Sequence, residues 1–148
     1  MLEFLCFEKS GPVRRTVRVM DRTLPNILAV IEKLSRVRNF IDPEVNPIAP
    51  FVSPSNIFLE IDDVGLIWYE PLDAAYIHLT FWDGRLRGRE KMCRSLVEFA
   101  QIFTKKIMVV RTQIEYRAVV AFIRRVGFEE NYTDPSGLAY FVFPNYPR

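Results

Sequence analysis

The sequence predicts an α/β domain, in the α+β sense, with helices flanking a mixed and mostly antiparallel sheet of about six or seven strands. Three observations lead there. The chain has 148 residues, the size of one ordinary domain, and it shows no internal repeat or linker. Its hydrophobic fraction of 49% and charged fraction of 26% are those of a chain that buries a core. Period-two and 3.6-residue apolar patterns alternate along it, with strands outnumbering helices.

The first strand covers Leu2 to Phe7, a short apolar run, and the second covers Thr16 to Met20, which alternates with period two. A helix follows, with Ile27, Val30, Ile31 and Leu34 on one face and Lys33, Arg36 and Arg38 toward its C-terminal end. Between Asp42 and Asn56, Pro43, Pro47, Pro50 and Pro54 exclude a regular helix or a central strand. The loop nevertheless holds Val45, Ile48, Phe51 and Val52, so it is expected to pack over a site, on the acceptor side.

Strands at Ile57 to Ile61, Val64 to Tyr69 and Ala75 to Phe81 come next, the first two joined by the tight acidic turn Asp62-Asp63. A helix from Gly88 to Phe103 places Met92, Leu96, Phe99, Ala100 and Phe103 on one face. The apolar run Ile107 to Val110 suits a strand buried on both sides. A helix from Tyr116 to Val126 turns Val119, Phe122, Ile123 and Val126 inward, and Gly127 closes it. Strands Phe128 to Tyr132 and Leu138 to Phe143 end the chain around the turn Asp134-Pro135-Ser136-Gly137.

The stretch that carries chemistry is AYIHLTFWDGRLRGREKMCRSLVEFA. Gly84 and Gly88 permit a tight turn and a close approach of backbone to a ligand. Arg85, Arg87 and Arg89 crowd the start of a helix, where the macrodipole disfavours cations. Such crowding makes physical sense if a polyphosphate sits among them, on the unpaired amides of the first turn. The bland alternative is a solvated basic turn with Glu90 as local partner.

This stretch resembles the pyrophosphate-binding signature of the GNAT N-acetyltransferases, in which Gln or Arg, then Gly, then Gly or Ala open the central helix. Arg85 and Gly88 match, while Glu90 stands where a small residue is usual. EYRAVVAFIRRVGFEE is similar to the family's later helix: Ala118, Phe122, Gly127 and Phe128 match, and Tyr116 takes the usual Asn position. Ile123 stands where many members carry a tyrosine that protonates the departing thiolate.

The resemblance implies a GNAT-type acyl-CoA N-acyltransferase fold, splayed at the cofactor site, with acetyl-CoA (coenzyme A) as cofactor. Phe81, Trp82 and Asp83 would present backbone groups to the pantetheine arm. Arg85, Leu86, Arg87, Gly88, Arg89 and Glu90 would wrap the pyrophosphate, with Tyr116 and Phe122 also at the cofactor. The acyl end would enter between the strand of Ala75 to Phe81 and that of Ile107 to Val110. The implied partners are an acyl-CoA and an amine-bearing acceptor, with a homodimeric state left open. The implied activity is N-acetyl transfer. The alternative is a catalytically silent GNAT-fold binding or assembly protein, to which Ile123 and Glu90 both point.

Two residues are candidate catalysts. His78 titrates near neutrality and could act as base, or could be structural as strand histidines often are. Tyr116 could replace the missing acid, or pack as an aromatic lid. Glu60 and Glu70, near strand ends, are further candidate bases. Arg111 and Arg117 are candidates for the cofactor's remaining phosphate, or simply solvated. Cys93 reads as a small core residue, and Trp68 with Tyr69 as core or an aromatic wall.

Other function classes fit poorly. A net charge of +2 and a pI near 8.6 are too mild to suggest nucleic-acid binding. Cys6 and Cys93 lie far apart, and one histidine leaves nothing that resembles a metal site. No apolar run reaches the ~18 residues of a membrane span. The start, MLEFLCFEKSG, has two acids and no basic stretch before its apolar residues, unlike a secretory leader. A cytoplasmic location is the expectation.

Overall fold

The computed structural model describes residues 1–37 and 47–144. An eight-stranded sheet runs in the order β1-β2-β3-β4-β5-β6-β8-β7, one or two strands above the six or seven of the fold-class expectation and equal to the eight runs placed along the sequence. Its strands are β1 (Leu2–Glu8), β2 (Gly11–Val19), β3 (Ile57–Ile61), β4 (Gly65–Pro71), β5 (Ala75–Phe81), β6 (Met108–Gln113), β7 (Glu129–Thr133) and β8 (Leu138–Val142). Neighbours are antiparallel except β5 and β6, which are parallel and joined through a helix.

Two helices cover each face. On one face, α1 (Leu24–Ser35) and the single turn α2 (Ala49–Val52) pack Ile27, Val30, Leu34 and Phe51 on Phe58, Leu66 and Trp68. On the other, α3 (Glu90–Thr104) and α4 (Arg117–Val126) cover Ile61, Ile67, Tyr69, Ile77 and Phe81. Alternation along each strand divides the residues between the two cores. Trp68 and Tyr69 therefore point to opposite faces rather than forming one wall.

Several expected details differ. The buried stripe of α3 is Met92, Cys93, Leu96, Val97, Ala100 and Gln101, while Phe99 and Phe103 stack on each other in solvent. An apolar period fits either neighbouring stripe of a helix, and the sheet selects one. Ile107, read as buried, is exposed, because pairing with β8 begins only at Val109. In the proline-rich segment, Pro50 sits in the first turn of α2, where its missing N–H has no helical partner to lose. Residues 42–46 of that segment, and Arg38, lie outside the described residues.

Candidate functional site

The parallel pair β5 and β6 stays together only briefly. Ala75 faces Met108 and Tyr76 faces Val109, and no further rows pair. From Ile77 to Phe81, β5 remains paired with β4 but shows an unpaired backbone edge toward β6. An open edge in the middle of a sheet leaves strong donors and acceptors without partners.

A cavity of about 310 Å³ occupies the gap. Its walls are apolar: Ile77, Leu79, Phe81 and Leu86 on one side, Val110, Val119, Phe122 and Ile123 on the other, with Cys93 and Val97 at the floor. Phe81 and Phe122 meet edge to face at 6.5 Å. Thr80, Arg111 and Thr112 are the polar lining. Burial pushes the Cys93 thiol far above its usual value, so it stays a neutral floor residue.

The turn beyond β5 is built differently from the sequence expectation. Arg89, expected on a phosphate, is completely buried. Its guanidinium grips the Asp83 carboxylate at 2.8 and 2.6 Å, Glu8 at 3.0 Å and the Arg85 carbonyl at 2.7 Å, and lies over the Phe81 ring. Arg15 holds Glu8 from the other side with two bonds of 2.8 Å. Hydrogen bonding from Arg15, then from Arg89, outweighs burial and pulls the Glu8 carboxyl down to about 2. Two side chains missed by the sequence reading, Glu8 and Arg15, thus brace the turn, and Asp62 faces Arg15 at 3.5 Å. Their one sequence signal was an acid in phase with Phe4 and Cys6 on the buried face of β1.

Gly88 has φ +92, and a β-carbon there would stand 2.3 Å from the Phe7 carbonyl oxygen. The close approach that demands glycine is to β1 of the chain itself. The Gly88 N–H donates to the Glu90 carboxylate at 2.5 Å, and Glu90 also faces Arg125 at 3.4 Å. A carboxylate therefore sits on the amide that the sequence reading assigned to a phosphate. Arg85 and Arg87 remain exposed and form no ion pair among the described residues.

The remaining candidates are scattered. Trp82 turns to the α1 face: its indole N–H donates to the Asp63 carbonyl and Lys33 sits over its ring. Its backbone N–H donates to the Val64 carbonyl, and the Asp83 carboxylate accepts from Arg89 and from the Arg85 N–H. Tyr116 is the N-cap residue of α4, half-buried and outside the cavity wall, whereas Phe122 and Ile123 line it.

His78 ends a ladder of stacked rings running Phe51, Phe58, Trp68, His78, with centroid separations of 4.6, 5.0 and 3.8 Å. The ladder ties Phe51, in the proline-rich segment, to the face that carries His78. Its Nε2 meets Glu70 at 2.5 Å. Burial pulls the imidazole below its usual value, Glu70 opposes this, and Arg111 adds to the lowering. The net direction leaves His78 a neutral base at pH 7. It lies two residues from Thr80, a cavity-lining residue, on the same face of β5.

The GNAT domain of PAT from S. lividans is similar in structure, with a TM-score of 0.72 over 95% of this chain and 96% of that one, at 12% identity. This is a GNAT fold. The splayed parallel pair and the helix between its strands belong to that architecture. A spermidine N-acetyltransferase SpeG variant from Vibrio cholerae superposes at TM-score 0.64, 10% identity, over 86% of this chain and 94% of that one. The N-acetyltransferase PseH from Campylobacter jejuni, in complex with acetyl coenzyme A, gives 0.63 at 11% identity, over 88% and 99%. No protein-family model matches the sequence, and no curated protein matches it either. Among the described residues, no helix is long and apolar enough to cross a membrane.

Proposed function

We propose that the protein is an N-acyltransferase that moves an acetyl group from acetyl-CoA to an amine. The unpaired edge of β5 beside an apolar cavity carries this reading. A pantetheine arm has two amides, which can pair with that edge as an added strand would. Solved structures of the same fold are N-acetyltransferases, one with acetyl coenzyme A bound, which supports the choice of donor.

In the reaction the ammonium acceptor first loses a proton to His78, directly or through water. The neutral amine then attacks the thioester carbonyl, its second N–H proton passes to water as the C–S bond breaks, and an amide and a thiolate form. Glu70 balances the imidazolium and Trp68 holds the ring in place. Ile123, in the cavity wall, has no proton to give. Solvent can protonate the thiolate, because a thiol pKa of about 8.5 makes it a weak base.

Calorimetric titration with acetyl-CoA tests the reading: saturable one-to-one binding is expected, and its absence overturns it. His78→Gln is expected to lower kcat by roughly 10²-fold, in the lower range of general-base effects, with coenzyme affinity unchanged.

A catalytically silent GNAT-fold protein is favoured by one observation, the Glu90 carboxylate on the Gly88 amide. Replacing Glu90 by alanine separates the two readings. In an acyltransferase the change frees that amide and Arg125 for phosphate, and removes a negative charge beside it. Coenzyme affinity is then expected to rise about tenfold, which corresponds to about 1.4 kcal/mol. A silent protein binds no better after the change than before.

A further inference from the structure

Beside the cleft lies a cluster of polar and charged side chains, of which Arg111 lines the cavity. Tyr76, His78 and Arg111 meet where β5 and β6 part, and Glu70 lies opposite Tyr76 in the neighbouring strand. The Arg111 guanidinium sits over the Tyr76 ring, 5.4 Å from its centre, and also lines the cavity. Unlike Arg15, Arg18, Arg36, Arg89, Arg94, Arg124 and Arg125, it has no carboxylate partner among the described residues. It is exposed, yet held on an aromatic ring beside a histidine.

Arg111 is poorly placed for the coenzyme's phosphates. The turn with Arg85 and Arg87 follows Phe81, at the far end of β5. Five residues of strand separate Tyr76 from Phe81, which is roughly 16 Å at 3.3 Å per residue. A donor entering from the turn brings its reacting end toward Tyr76, into the cluster. Glu70 and His78 offer acceptors for a protonated amine, while Arg111 offers a fork for an anion.

From this juxtaposition we infer that the acceptor is an amine with its own carboxylate close by, as in an α-amino acid, whose carboxylate pairs with Arg111 while its ammonium faces His78 and Glu70. The inference rests on the acyltransferase reading. Tyr76 keeps the guanidinium in place without neutralising it, so the site arrives with one open valence for an anion.

The test uses the full chain with acetyl-CoA and follows release of free thiol. The panel holds the common amino acids, phenylalanine beside phenethylamine and phenylalaninamide, and spermidine as a polycation. At least one amino acid is expected to exceed its carboxylate-free counterpart in kcat/KM by about tenfold, the low end for a hydrogen bond to a charged group. Arg111→Gln is expected to abolish that preference, read as the ratio of kcat/KM for each amino acid to that for its carboxylate-free amine, so that any general effect on turnover cancels. Preference for spermidine or phenethylamine, an unchanged ratio in Arg111→Gln, or no amino acid acetylated although acetyl-CoA binds would each overturn this inference alone. Failure of acetyl-CoA to bind would overturn the acyltransferase reading, and this inference with it.

Discussion

Arg89→Ala is expected to lower stability by about 3–5 kcal/mol, the cost of removing one partner from a buried ionic cluster. Arg89 has no exposed surface, and its loss leaves Glu8 buried with Arg15 alone and Asp83 without its forked partner. The shift in urea midpoint at constant slope measures the effect. Arg89→Lys should recover little, because a compact ammonium cannot bridge two carboxylates and a carbonyl at once. Were Arg89 a phosphate ligand instead, stability would stay within about 0.5 kcal/mol and only coenzyme affinity would fall.

The same cluster sets an acid limit. The Glu8 carboxyl is depressed to about 2 in the folded state from 4.5, so its contribution is fully present above pH 4.5. It is lost as pH falls from there through about 2, as protons bind the unfolded chain first. Losing Arg89 removes one of the two cations responsible and should shift this loss to higher pH.

Gly88→Ala is expected to destabilise the fold by about 2–4 kcal/mol, combining left-handed strain with a clash that side-chain motion cannot relieve. The obstruction is the Phe7 carbonyl, 2.3 Å from the added carbon, and Phe7 is held in register opposite Pro12. Gly84→Ala is the control: its φ is +73 but nothing lies within 4 Å of the new carbon. That variant should lose only about 1 kcal/mol, the cost of the conformation itself. Equal midpoints for the two variants would mean that β1 yields freely and the close approach at Gly88 is not structural.

His78 shows how far a residue can be judged from its neighbours in sequence. Its strand phase with Tyr76 and Thr80 follows from alternation alone, and the structure keeps it. Its partner Glu70 lies eight positions earlier, next to a strand that was itself legible, though the pairing of that strand with β5 was not. The ring ladder behind it was not, because Phe51, Phe58 and Trp68 come from three separate elements.

By itself, the sequence determined the element order, the positions of most strands and helices, and the place of the cleft. All of these follow from short-range periodicity and from two motifs that lie close to the elements they mark. The tertiary structure alone decided which arginine of the turn is buried. Arg85, Arg87 and Arg89 look equivalent in a line of text, and their difference comes from Glu8, 81 positions away. It decided, too, that Gly88 serves β1, that the stripe Met92, Cys93, Leu96, Val97 faces the sheet, and that Arg111 meets Tyr76 across the splay. A buried charge must find its counter-charge wherever the chain brings one, and that pairing carries no local period to read.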